Sequence, residues 1–160
     1  MLLTEIARRY EPEGELPLAG YATLLGIFAT AMSAALSAMP RRQLRLGARD
    51  ILLLGVATFQ LTRFVAKDRV LAPVRAPFTE YVGSSGAGEV DEQARGTGLQ
   101  RAIGELLTCP YCLAPWVVTA VSVAVIASPK KTRWLAGIVA ITVVSDVCQQ
   151  LYAGLRKLSK

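Results

Sequence analysis

The sequence predicts an all-α integral membrane protein: four transmembrane helices, with a long loop between the second and the third. Three observations predict it. Over 160 residues the mean hydropathy is positive, at +0.39. Apolar residues make up 52% and charged residues only 19%, against about 25% charged in typical soluble domains. Finally, the apolar residues are gathered into runs approaching or exceeding the ~20 residues a helix needs to cross a bilayer.

The first run, residues 16–39, holds no charge over 24 positions and closes at Pro40, Arg41 and Arg42. It is too long, and too far from Met1, for an ordinary signal peptide. The second, residues 51–62, has only 12 uncharged positions between Asp50 and Arg63. A helix of that length rises about 18 Å, so it spans only if Arg49 and Arg63 snorkel or Arg63 is buried against a partner. The third, residues 106–127, is uncharged but carries Pro110 and Pro115 near its start. The fourth, residues 134–155, has Asp146 as its one charge, with Trp134 and Tyr152 placed as interfacial anchors.

The connections at 40–49 and 128–133 are short and basic, whereas that at 66–105 is long. Within the long one, Gly83-Ser84-Ser85-Gly86-Ala87-Gly88 reads as a flexible tether. Pro73 and Pro77 suggest an extended strap over 72–78, and residues 99–107 form an amphipathic run. With four spans the two short loops carry seven basic residues and the opposite side ten; the count leans towards termini and long loop inside, the density of charge in the short loops leans the other way, and charge alone leaves the orientation open. The net charge of +6 is assigned to topology and anionic lipid. Nucleic acid is not expected as a partner, because no stacking aromatics accompany the basic residues.

The chain has no histidine. That excludes Ser–His and Cys–His catalytic pairs, His-ligated haem and His-containing zinc sites. Three cysteines are too few for a disulfide scaffold and leave at least one thiol outside any intrachain pair.

Cys109-Pro110-Tyr111-Cys112 is the sharpest local feature. Proline suits the first position of a helix, which puts Cys109 at the cap, where free N–H groups favour a thiolate. Two cysteines in this spacing suit thiol exchange, one sulfur attacking and the other resolving. The tetrapeptide matches the glutaredoxin active site, but no strand precedes it and a hydrophobic helix follows, so that fold is excluded. A metal reading needs about four ligands: Cys109, Cys112, Cys148 and Glu105 are the candidates for zinc, with Asp146 or a second subunit's cysteines as alternatives. Spacing of i, i+4, i+7 and i+11 would align Glu105, Cys109, Cys112 and Trp116 along one face of a continuous helix. Asp146 and Arg63 are expected to form a structural ion pair, since a lone carboxylate in lipid is costly. Gly96 and Gly98 do not make a phosphate-loop pattern.

Several strings then occur together: Leu61-Thr62-Arg63-Phe64, Lys67-Asp68-Arg69, Arg75-Ala76-Pro77-Phe78, Arg95-Gly96-Thr97-Gly98, and Gly104-Glu105-Leu106-Leu107 followed by Cys109, Cys112 and Trp116. This set resembles an uncharacterised family of small bacterial membrane proteins, domain of unknown function thirteen-sixty. The resemblance covers about residues 51–146, with residues 16–39 as an additional N-terminal transmembrane helix, all in one membrane domain over 1–160. It implies no established activity.

The resulting expectation is a multi-pass protein of the bacterial cytoplasmic membrane, accessory to or scaffolding a membrane complex, without a catalytic site of known type; whether it is an enzyme stays open, with the balance towards not. Its partners are the lipid bilayer and either another protein or a second copy, packed through small residues such as Ala29, Ser33 and Ser37, or Gly137 and Ala140. The alternative is thiol exchange or metal binding through Cys109 and Cys112. A transporter is disfavoured for want of internal repeats and of a second buried ionisable site.

Overall fold

A computed structural model of the chain describes residues 9–10, 16–38 and 46–158. In order, the elements are helix α1 (Leu18–Ser37), helix α2 (Ala48–Lys67), a 3-10 turn (Arg69–Leu71), the short helix α3 (Ala72–Arg75), strands β1 (Thr79–Gly86) and β2 (Glu89–Ala94), and helices α4 (Gly98–Thr108), α5 (Pro110–Ala127) and α6 (Pro129–Leu158).

Among the described residues, three helices are long and apolar enough to cross a membrane: α1, α5 and α6. The expected fourth span is not supported. Residues 51–62 are helical, but α2 has Arg49 and Asp50 in its first turn, Lys67 in its last and Arg63 one turn before the end. Three of these charges are engaged by protein: Asp50 by Arg133, Arg63 by Glu89 and Lys67 by Asp91.

The all-α expectation is also corrected. The long connection contains a two-stranded antiparallel sheet. Thr79 pairs with Ala94, Tyr81 with Glu92 and Ser84 with Val90, with irregularities after Tyr81 and Ser84. The stretch expected as a tether is the tip of this hairpin. Gly86, Ala87 and Gly88 take φ values of 104°, 26° and 88°, a left-handed run that glycine makes accessible. The expected extended strap is wound as well, because Pro73 falls at the start of α3, where its missing N–H costs no helical bond.

The chain divides into two compact units, one of Met1–Met39 with Arg63–Trp116 and one of Pro40–Thr62 with Val117–Lys160. In the first, α4 packs against α1 and the hairpin. Close approach is built into two glycines. A Cβ on Gly20 would lie 2.7 Å from the Ala102 Cβ and 2.8 Å from the Gly98 carbonyl oxygen. One on Gly104 would collide with the Phe78 carbonyl oxygen and come within 2.9 Å of the Ala94 Cβ. Val90 and Ala102 are buried there. In the second unit, Leu54, Ala57, Val125 and Ala136 form the buried cluster, flanked by Leu53, Val121, Ile126 and Val139. Arg133 fastens its edge, donating from Nε and Nη2 to the two Asp50 carboxylate oxygens at 2.8 and 2.9 Å.

Candidate functional site

Most of the residues that carry the resemblance lie in the first unit, where two places stand out. One is a buried polar knot. Arg75, on α3, is 1% exposed and Glu92, on β2, 5%. Arg75 Nε donates to Glu92 Oε2 at 2.7 Å and Nη2 to Oε1 at 3.1 Å. The rest of the guanidinium closes on backbone: Nη1 on the Val65 carbonyl at 2.7 Å and Nη2 on that of Asp68 at 2.9 Å. The Thr79 hydroxyl completes the carboxylate's shell at 3.0 Å. The end of α2, the strap and both strands are thereby tied to one side chain. Asp68 sets the turn into the strap, its carboxylate accepting from the Val70 N–H at 2.7 Å.

The second place is the junction of α4 with α5. Cys109 ends α4 in an extended conformation and Pro110 begins α5, as the sequence leads one to expect. Cys109 is half-buried and Cys112 exposed, and both are free thiols. The Cys112 N–H donates to the Cys109 sulfur at 3.2 Å, and the Leu113 N–H to the Cys109 carbonyl at 3.0 Å. Cys109 therefore caps α5 with both its sulfur and its carbonyl oxygen. One turn upstream, Glu105 accepts from the Tyr21 hydroxyl of α1 and from Arg101 Nε at 3.0 Å. One turn downstream, the Trp116 ring meets Phe28 edge-on, centroids 5.0 Å apart, a favourable aromatic geometry. The break at Cys109 means that Glu105 and Cys112 do not share one continuous helix.

Arg63, expected to pair with Asp146, donates from Nε to Glu89 Oε1 at 2.7 Å. Asp146 accepts from Gln60 Nε2 at 2.9 Å. The physical reason is that the hairpin brings an acidic side chain to the end of α2, and an amide on α2 already supplies Asp146 with a donor. Among the described residues, no group of three or more His, Cys, Asp or Glu could hold a metal ion. Within the first unit, Cys109, Cys112 and Glu105 accordingly do not form such a group; Glu105 is held by Tyr21 and Arg101, and Cys148 is an exposed thiol on α6.

Sequence reasoning missed Gln60, Glu89 and Glu92. Gln60 left a usable signal, as the one amide in the apolar stretch of α2. The two glutamates left none beyond being acidic.

The chain matches a family described as a protein of unknown function (DUF1360) over residues 53–152. It is 31% identical over 104 residues to the sporulation protein YjcA of Bacillus subtilis (strain 168), which covers 63% of this chain and 88% of that protein. No solved structure matches. Helix α1, which supplies Gly20, Tyr21 and Phe28, lies outside the matched residues. With the match extending from α2 to α6 and enclosing both the polar knot and the cysteine junction, the chain belongs to this family of unknown function.

Proposed function

We propose that this membrane protein is an accessory or scaffold subunit of a complex in the bacterial cytoplasmic membrane. One observation supports the reading above others: the charged residues of its most recognisable strings hold the protein's own structure. Arg75 is fully enclosed with Glu92, Arg63 is bound to Glu89, and Glu105 is shared by Tyr21 and Arg101. Such groups, already engaged by one another, rigidify a shape.

The rigid strap and hairpin carry apolar side chains outward. Val70 is 84% exposed, Val74 65%, Tyr81 67% and Val82 60%. Apolar groups held on a fixed backbone suit protein recognition. The small residues Ala29 and Ser33 of α1 are likewise exposed, a surface on which another helix packs closely.

The test is photo-crosslinking from Val74 and Tyr81 in cells, followed by purification in mild detergent. A stoichiometric partner is expected, lost in Tyr81→Asp at unchanged abundance of the protein. Recovery of the protein alone from both positions would refute the scaffold role.

A further inference from the structure

We infer that Cys109 and Cys112 form a dithiol–disulfide exchange site at the start of α5, with an accessible disulfide as its co-substrate. The inference stands on the geometry of the α4–α5 junction and does not depend on the scaffold reading.

The first turn of a helix has N–H groups with no intrahelical acceptor. In α5 Pro110 has no N–H, and the Cys112 N–H is directed at the Cys109 sulfur at 3.2 Å. A sulfur in this capping position gains most when it carries negative charge, because the amide and the helix dipole both favour an anion. Cys109 is accordingly the attacking sulfur. Cys112 follows three residues later in the same turn. Its backbone nitrogen lies 3.2 Å from the Cys109 sulfur, which puts the Cys112 side chain beside that sulfur. Cys112 is exposed and the neighbouring Tyr111 side chain is 89% exposed, so an incoming disulfide has access to the pair.

The exchange balances in two steps. The Cys109 thiolate attacks one sulfur of the incoming disulfide; that S–S bond breaks, a mixed disulfide forms, and the first thiolate leaves and takes a proton from solvent. Cys112 then loses its proton to solvent and attacks the Cys109 sulfur. This closes the Cys109–Cys112 bond and expels the second thiolate. Two electrons pass from the protein's dithiol to the incoming disulfide, which becomes two thiols.

The test uses the reduced full-length chain in detergent micelles with Cys148→Ser as background, treated separately with oxidised glutathione and with a disulfide-linked peptide dimer. Intact mass and thiol count are the readouts, and far-UV circular dichroism checks each variant. Both thiols are expected to disappear together as an internal disulfide, with the faster of the two reagents indicating the source of the natural co-substrate. Cys112→Ser should accumulate the mixed disulfide on Cys109, and Cys109→Ser should react about tenfold or more slowly. Retention of both thiols with both reagents would overturn the inference without recourse to any variant. So would Cys109→Ser reacting as fast as Cys112→Ser.

Discussion

Arg75 and Glu92 meet as a doubly hydrogen-bonded ion pair, at 2.7 and 3.1 Å, with both side chains almost wholly excluded from solvent. Seventeen residues separate them in sequence, and the pair fastens the strap to the hairpin. Removing one partner leaves a buried charge uncompensated, which costs about 3–5 kcal/mol. Arg75→Ala and Glu92→Leu are each expected to lower the melting temperature in detergent and to open residues 68–95 to protease. The double variant Arg75→Met/Glu92→Leu should be more stable than either single one, because no charge is then stranded. If Arg75→Ala melts like the native chain, the knot does not hold the hairpin.

The approach of α1 to α4 rests on the missing side chain of Gly20, where a Cβ would come 2.7 Å from that of Ala102. Gly20→Ala therefore forces the helices apart and strains the Tyr21–Glu105 hydrogen bond, an overpacking cost of about 1–3 kcal/mol. Gly26, on the same helix, would place its Cβ with nothing within 4 Å, so Gly26→Ala should be neutral or slightly stabilising. Thermal melts of the two variants side by side check this. Equal effects would show that helix propensity, and not contact with α4, governs the position.

The contrast between these two places shows what the sequence could reveal. Helices α1, α5 and α6 were legible because an unbroken apolar run is a local property. The cap at Cys109 was legible because Pro110 marks a helix start by its own covalent structure. The hairpin was not. β1 reads Thr-Glu-Tyr-Val-Gly-Ser-Ser-Gly, and its pairing slips after Tyr81 and again after Ser84, so the alternation that marks a strand is broken. What holds the strands is tertiary: the Arg75 guanidinium, the buried Val90 and the bridge from Asp68 to Glu89. The same bridge explains the unexpected partner of Arg63, since it carries Glu89 to the end of α2 from 26 residues away.

Acid should weaken the second unit through Asp50. The hydrogen bonds from Arg133, supported by the Gly47 N–H, hold its carboxyl below the ordinary carboxylate range. A group depressed in the folded state contributes stability that is complete above its unfolded pKa of about 3.9 and fades as pH falls through the lower folded value. The native chain and Asp50→Asn should therefore differ by a constant amount from pH 5 to 8, with Asp50→Asn the less stable, and converge below about pH 4. High salt should narrow the gap, because the pair is partly exposed. A difference that grows on acidification would reverse the sign and refute the assignment.

Asp146 tests how a carboxylate is tolerated on a helix apolar enough to span a membrane. Its partner is Gln60 Nε2, at 2.9 Å, on a side chain only 2% exposed. That amide's Oε1 is buried without a hydrogen-bond partner. Replacing Asp146 alone strands both ends of the amide, and replacing Gln60 alone strands the carboxylate; each change removes the bond and leaves a desolvated polar group behind. Replacing both, as Gln60→Leu/Asp146→Leu, leaves neither. The double variant should therefore lose less stability than the two single losses added together, by about 0.5–3 kcal/mol, as for residues that share a hydrogen bond. Arg63 provides the control. Arg63→Ala should couple to Glu89→Ala, with which it shares a hydrogen bond. Strictly additive losses at Gln60 and Asp146 would overturn the hydrogen bond observed between them.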